Sequence, residues 1–228
     1  METALLELVA AAVIFTGGHF LLSSRPVRGP LVARLGEKPF LGLYSVIALL
    51  ALAWMAWAYS RSPTVVLWTA PAWTGGLALV LVLLAAVFFV AGLRPDNPTA
   101  VGGRPGAIEP ERLGFFAVTR QPMLWGFSLW AIGHLPANGD LASLVLFGAV
   151  LLLALPGGFV IDAHLRRDDP DGFATLAAHT SNVPFAAIGA GRARLKPKAL
   201  VVPVAGGVVL YLALLFAHPW LFGASPLG

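Results

Sequence analysis

The chain has 228 residues, of which 58% are hydrophobic and 11% are charged, and it contains no cysteine. Soluble domains contain about 45–50% apolar and about 25% charged residues, so this composition cannot supply a water-facing surface and predicts an integral membrane protein. The lack of cysteine excludes disulfides, iron–sulfur clusters, thiolate zinc sites and cysteine nucleophiles. The length fits a single transmembrane domain over residues 1–228.

Six apolar runs are each close to the roughly 20 residues that cross a bilayer as a helix. We therefore expect an all-α fold, a polytopic integral membrane helix bundle of about six transmembrane helices. The first run contains Glu7 but no Lys or Arg, whereas a cleaved secretory signal begins with positive charge. The first helix is therefore expected to stay in the mature protein. The predicted helices are residues 4–22, 40–59, 75–93, 113–135, 141–161 and 200–222, and residues 162–199 form the longest loop.

The 15 Lys and Arg residues are distributed unevenly among the connections. In chain order, the segments that follow the six runs carry 4, 1, 4, 0, 6 and 0 of them. This alternation follows the positive-inside rule. It predicts inner loops at residues 22–39, 94–120 and 162–199, with both termini outside a bacterial inner membrane. The net charge of +4 therefore reflects topology, and the expected partner is the lipid bilayer and not nucleic acid.

Two of the histidines in the apolar runs stand out as candidate ligands. His134 follows a stretch without formal charge, and His19 follows Gly17 and Gly18. A titratable ring in lipid is costly unless it has a partner, so both are candidates for a functional site. In a chain without cysteine they indicate a metal or haem inside a helix bundle, whereas the alternative for each is a polar contact between helices. The two glycines would let either a helix or a flat ligand approach the backbone.

The depths of the histidines leave their pairing open. At about 1.5 Å per residue, His19 lies near the inner end of the first helix and His134 near the outer end of the fourth. Depth alone would pair His19 with His164, and His134 with His218. Without such pairing, His164 is an interfacial cation and His218 an anchor at the membrane interface.

Arg120 becomes buried if the fourth helix begins at Leu113, and a buried cation requires an anion. The candidate anions are a haem propionate and the carboxylates of Glu109 and Glu111.

Two polar stretches are predicted to be turns. Asn138 and Gly139 supply the left-handed backbone of a tight turn after the fourth helix. Residues 168–172 also have turn composition, but they lack the ligand spacing and terminal Glu of a calcium loop. The chain has no Gly-rich phosphate loop, no Gly-x-Ser-x-Gly elbow and no His-Glu-x-x-His helix, which makes a hydrolase or kinase a poor fit.

Several stretches together resemble the NnrU family of bacterial membrane proteins, over about residues 13 to 192. The most specific are residues 119–126 (TRQPMLWG) and 129–140 (LWAIGHLPANGD). Residues 180–188 (TSNVPFAAI) with Gly191 and Arg192 are also similar to a related plant enzyme, 15-cis-zeta-carotene isomerase. The supporting stretches are Gly18 with His19, residues 42–45 (GLYS) and residues 65–71 (VVLWTAP).

The resemblance implies a membrane protein that binds haem b and is associated with nitrite and nitric oxide metabolism (denitrification). The family's histidine pattern matches at His19 and His134. If haem is bound, Arg120 would bind it by pairing with a propionate, as its buried charge requires an anion. The sequence departs from the family at Gln121, where the family usually has His before Pro. Gln is a poor iron ligand, so position 121 either is not a ligand position or belongs to an altered site.

Other functions remain open, as does whether the protein is an enzyme. The plant relative implies a haem-dependent cis-trans isomerase of a carotenoid-like polyene, so the ligand is either lipid-soluble or gaseous. Residues 120–123 (RQPM) resemble the Arg-His-Pro motif of isoprenylcysteine carboxyl methyltransferases, but the His is replaced and an apolar helix stands where their Glu- and Tyr-rich tail is expected. A non-catalytic structural role is the last alternative.

Overall fold

The structure is a computed structural model that describes residues 2–100, 103, 105–107 and 109–227. Within this part of the chain it contains helices and no β-strand, so the all-α prediction is confirmed. Among the described residues, five helices are long and apolar enough to cross a membrane, and the chain is a multi-pass membrane protein. The predicted orientation refers to Met1 and Gly228, which lie outside the described residues.

The five long apolar helices coincide with five of the six predicted spans, with shifted ends. The longest shift is at the fifth span, which continues to Asp168 because residues 162–168 contain no Pro or Gly to end it. The α-helices are α1 (Glu2–Ser23), α2 (Arg25–Leu35), α3 (Glu37–Arg61), α4 (Trp73–Gly92), α5 (Pro122–Asn138), α6 (Leu141–Asp168), α7 (Pro170–His179), α8 (Ala186–Gly189) and α9 (Val201–Phe222).

The predicted start of the fourth span at residue 113 is wrong. Gly114–Ala117 forms a short 3-10 helix, and α5 begins at Pro122. Proline suits the first position of a helix because it has no N–H to leave unpaired, and it disfavours a helical residue before it. The 17 residues of α5 span about 25 Å, which is shorter than the roughly 30 Å hydrocarbon core.

The predicted inner loops also contain helices. Helix α2 lies between the first two spans, while α7 and α8 lie within residues 162–199. The expected turn at residues 168–172 instead starts α7, because the Asp169 carboxylate accepts a hydrogen bond from the N–H of Gly172 at 3.0 Å. An Asp at this position satisfies one of the unpaired N–H groups at the start of a helix.

Residue contacts divide the chain into two compact units, and Met1–Pro71 with His134–Leu153 forms the first. Here α1 and α3 pack antiparallel. Trp54 Nε1 donates to Glu7 Oε1 at 3.2 Å near one end, and the rings of His19 and Tyr44 meet edge to face near the other. The predicted left-handed turn is confirmed at Gly139, whose φ is 66°.

The second unit is Ala72–Gly133 with Ala154–Gly228, and α4 is central to its packing. Helix α5 runs antiparallel to α4, since a Cβ at Gly126 would lie 3.0 Å from Ala85 O and one at Gly92 would lie 2.6 Å from Met123 Cβ. Helix α9 approaches α4 just as closely. A Cβ at Gly207 would lie 2.6 Å from the Val87 Cα atom, so glycine is required for this contact.

We predict that Gly207→Ala destabilises the protein by about 1–3 kcal/mol, because the backbone of α4 cannot move away from the added methyl without repacking. Thermal unfolding in detergent measures the effect. Gly148→Ala is the matched control, since a Cβ there meets nothing within 4 Å and alanine has the higher helix propensity. Equal unfolding temperatures for the two variants would contradict the close α4–α9 contact.

Candidate functional site

His19 has one ring nitrogen fixed by the backbone of its own helix. Its Nδ1 lies 2.6 Å from the carbonyl oxygen of Phe15. A carbonyl oxygen can only accept a hydrogen bond, so Nδ1 carries the proton. The lone pair of the neutral ring then lies on Nε2. This is the state in which histidine binds a metal, with the other nitrogen hydrogen-bonded to hold the ring in orientation.

A shallow apolar cleft, with an enclosed volume of only about 10 Å³, lies beside the His19 ring. The edge of the His19 ring meets Phe15 at a centroid distance of 4.7 Å and Tyr44 at 5.5 Å. Gly18 also lines the cleft, and a Cβ at Gly18 would meet no atom within 4 Å. This glycine is therefore not explained by close helix packing, and it leaves open space next to the histidine.

His134 lies near the end of α5, and its ring stacks on Phe147 of α6 at a centroid distance of 4.7 Å and an interplanar angle of 23°. The Asn138 side chain donates to the His134 carbonyl at 2.7 Å. The stacking partner covers one face of the ring.

His19 and His134 belong to the same unit, and their depths differ less than the sequence suggested. Thr16 Oγ1 donates to Ala149 O at 3.4 Å, so Thr16 of α1 and Ala149 of α6 lie at about the same depth along the helix axes. His19 lies three residues beyond Thr16, and Phe147 lies two residues before Ala149. At 1.5 Å per residue the two histidines are about 8 Å apart along the helix axes.

The other histidines lie elsewhere. His164 and His218 belong to the second unit, and the Nδ1 atom of His218 lies 2.7 Å from Ala224 O, next to the ring of Phe222. The described residues contain no group of three or more His, Cys, Asp or Glu side chains suited to one metal ion. A bare zinc ion needs three or four such ligands. A haem brings four nitrogens of its own, so one or two histidines are enough for it.

Arg120 is buried as expected, but its anion is Asp162. The guanidinium forms a two-pronged ion pair, with Nε to Oδ1 at 2.8 Å and Nη2 to Oδ2 at 2.5 Å. The proposed partners Glu109 and Glu111 are therefore wrong. Glu109 instead forms an exposed pair with Arg112 at 2.9 Å. Sequence reasoning missed Asp162 because it was assigned to the inner loop, although it directly follows the fifth apolar run and is the first acid after it.

The sequence profile of the family described as NnrU protein matches residues 7–226. The chain belongs to the NnrU family. The resemblance found in the sequence is thereby confirmed and extends over nearly the whole chain. No curated protein and no solved structure matches it.

In this NnrU protein, Gln121 is part of a closed polar cluster around the ion pair. Its Nε2 donates to Asp162 Oδ1 at 3.4 Å, and its Oε1 accepts from Thr99 Oγ1 at 3.3 Å. The Asn182 amide donates to Asp162 Oδ2 at 3.2 Å. Among the described residues no buried side-chain N or O atom lacks a partner. Arg120 and Gln121, which resembled a methyltransferase motif, thus bind other protein groups.

We predict that Asp162→Asn destabilises the protein by about 3–5 kcal/mol, because it leaves the buried Arg120 charge without an anion. Unfolding in detergent measures the loss. The matched control is Glu37→Gln, which removes the acid of the exposed Arg28–Glu37 pair and is expected to cost less than about 1 kcal/mol. Equal losses in the two variants would show that Asp162 does not stabilise Arg120.

Proposed function

We propose that this NnrU protein binds b-type haem within the membrane, with His19 as the iron ligand, and takes part in nitrite or nitric oxide metabolism. The observation that supports this most directly is the 2.6 Å contact between His19 Nδ1 and the Phe15 carbonyl. It leaves Nε2 as the electron-pair donor on a ring of fixed orientation. Since the chain has no cysteine, a covalent c-type linkage is excluded.

The residues around His19 fit one side of a haem. The apolar wall from Phe15, Tyr44 and Gly18 suits a macrocycle edge, but the cleft encloses only about 10 Å³, far less than the 300–1,000 Å³ of a pocket that encloses a ligand. Ile14 and Ile47 line the same cleft and are 51% and 38% exposed on membrane-spanning helices. The remaining surface of the macrocycle would therefore face acyl chains. The larger cleft of the second unit is not lined by histidine.

The chain's own residues would bind and orient the ligand. The Phe15 carbonyl holds the His19 proton on Nδ1, Tyr44 restricts rotation of the ring, and the lipid-facing isoleucines exclude water. Bound haem would supply an iron that takes up a gaseous ligand or transfers an electron. His134 lies about 8 Å from His19 along the helix axes, so it could act as a second ligand only if the helices shift to bring the two histidines to one depth. With His19 as the single protein ligand, bound haem would keep the capacity to take up nitric oxide.

A second candidate function shares this site. The cleft at His19 opens towards lipid at Ile14 and Ile47, so an apolar polyene could reach the same ligand atom from the bilayer. This favours a haem-dependent carotenoid isomerase over the methyltransferase. Conversion of a cis-polyene by haem-loaded protein, measured by chromatography, would separate it from nitric oxide chemistry.

We predict that His19→Ala abolishes the Soret band of protein purified in detergent after expression with ample haem. The alanine removes the electron pair of Nε2, while the helix keeps its sequence otherwise. His179→Ala is the control, since His179 ends α7 outside the membrane spans, and it should keep the wild-type spectrum. If His134 also ligates, His134→Ala shifts the band. An unchanged spectrum in His19→Ala, or none in the wild type, would refute the haem proposal.

We also predict that Gln121→His leaves the haem spectrum unchanged. Position 121 belongs to the polar cluster with Asp162 and Thr99, and His19 belongs to the other unit. Absorption spectra of the oxidised and reduced variant provide the measurement. A change of axial ligation in this variant would show that residue 121 faces the iron.

A further inference from the structure

A second cleft, of about 460 Å³, lies in the second unit beside the end of α6. We call it the basic cleft, because Arg120, Arg166 and Arg192 line it together with Phe159 and Val183. It shares no lining residue with the cleft at His19, and its chemistry is different.

Two of the three arginines have no anionic partner. Asp162 neutralises Arg120, but none of the ion pairs formed within the described part of the chain includes Arg166 or Arg192. The Arg166 guanidinium lies over the ring of Phe173, 5.0 Å from its centroid. Arg192 Nη1 donates to backbone carbonyls at the end of α7, including that of Ala177 at 2.5 Å. These contacts orient the two cations without cancelling their charge.

The same cleft has an exposed apolar side. Phe159 is 52% exposed and Val183 is 47% exposed. Phe159 and Arg166 are seven residues apart on α6, so they lie on one face of the helix, about 10 Å apart along its axis. Helix α6 spans the membrane, and Arg166 lies nearer to its polar end than Phe159 does. The cleft therefore has its cation towards the membrane surface and its apolar side deeper in the bilayer. A phospholipid has the same order of groups, a phosphate followed by acyl chains.

We propose that the basic cleft binds an anionic phospholipid, with the phosphate paired to Arg166 and Arg192 and an acyl chain along Phe159 and Val183. Guanidinium groups match phosphate oxygens in two-pronged hydrogen bonds. Basic pockets at the inner ends of transmembrane helices attract anionic headgroups. The proposal does not depend on haem, since no residue of the His19 site takes part.

The test uses the full-length protein in neutral detergent, titrated with phosphatidylglycerol or phosphatidylcholine and followed by native mass spectrometry. We expect phosphatidylglycerol to remain bound in preference. Arg166→Gln should weaken its binding by about tenfold or more. Arg167→Gln is the matched control, because it removes the same charge one residue away but does not line the cleft, and it should change binding by less than about twofold.

Further arms keep the result unambiguous. Arg166→Lys keeps the positive charge and should recover part of the lipid binding. If Arg166 instead stabilises the fold, Arg166→Gln should unfold at a lower temperature than Arg167→Gln. Inorganic phosphate is titrated as the second probe. Saturable binding of inorganic phosphate without a preference for phosphatidylglycerol would overturn the lipid assignment. Equal lipid binding by the Arg166→Gln and Arg167→Gln variants would overturn the site itself.

Discussion

Lipid offers no hydrogen bonds, so a polar group in the apolar part of this protein has to find its partners within the protein. The Arg120–Asp162 ion pair is the strongest case, since both side chains are 9% exposed. Around it, Gln121 and Asn182 occupy remaining hydrogen-bonding positions of the carboxylate. The cluster ties the start of α5, the end segment of α6 and the connection after α7 to one point. Each of these polar side chains therefore contributes to holding the buried ion pair in place.

His19 is also a polar group in the apolar part of the protein, but within the described part of the chain only one of its two ring nitrogens forms a hydrogen bond. The Phe15 carbonyl takes the Nδ1 proton, and the neighbouring rings of Phe15 and Tyr44 are held against the imidazole. Among the described residues, no hydrogen bond is formed at Nε2. A histidine that lines an apolar cleft and keeps an electron pair on Nε2, in a cysteine-free membrane protein, suits a ligand that brings its own iron. This contrast between a closed polar cluster and a half-satisfied histidine is the physical basis for preferring His19 over Arg120 as the functional residue.

Hydropathy alone was sufficient to locate five membrane spans. A run of about 20 apolar residues is long enough to cross the bilayer, and in lipid its backbone can satisfy its hydrogen bonds only as a helix. It failed at residues 113–121, where the run looks continuous but Pro122 begins the helix. The burial of Arg120 and the need for an anion were predictable from the cost of a charge in lipid. Asp162 was not, because the pairing joins residues 42 positions apart and depends on how α6 extends beyond the apolar run. The local bond of His19 to Phe15, four residues earlier on the same helix, was within reach of sequence reasoning, whereas the stacking of His134 on Phe147 was not.

The most direct test of the central claim is chemical rescue of His19→Gly with imidazole. Glycine removes the ligand and enlarges the cleft, so the account predicts that haem-supplied His19→Gly has no Soret band and that added imidazole restores it in a saturable way. The same titration of His179→Gly should change nothing, because that histidine is not a ligand. If His19→Gly keeps a wild-type Soret band without imidazole, or if saturating imidazole does not restore the band to the folded variant, then His19 does not hold the iron.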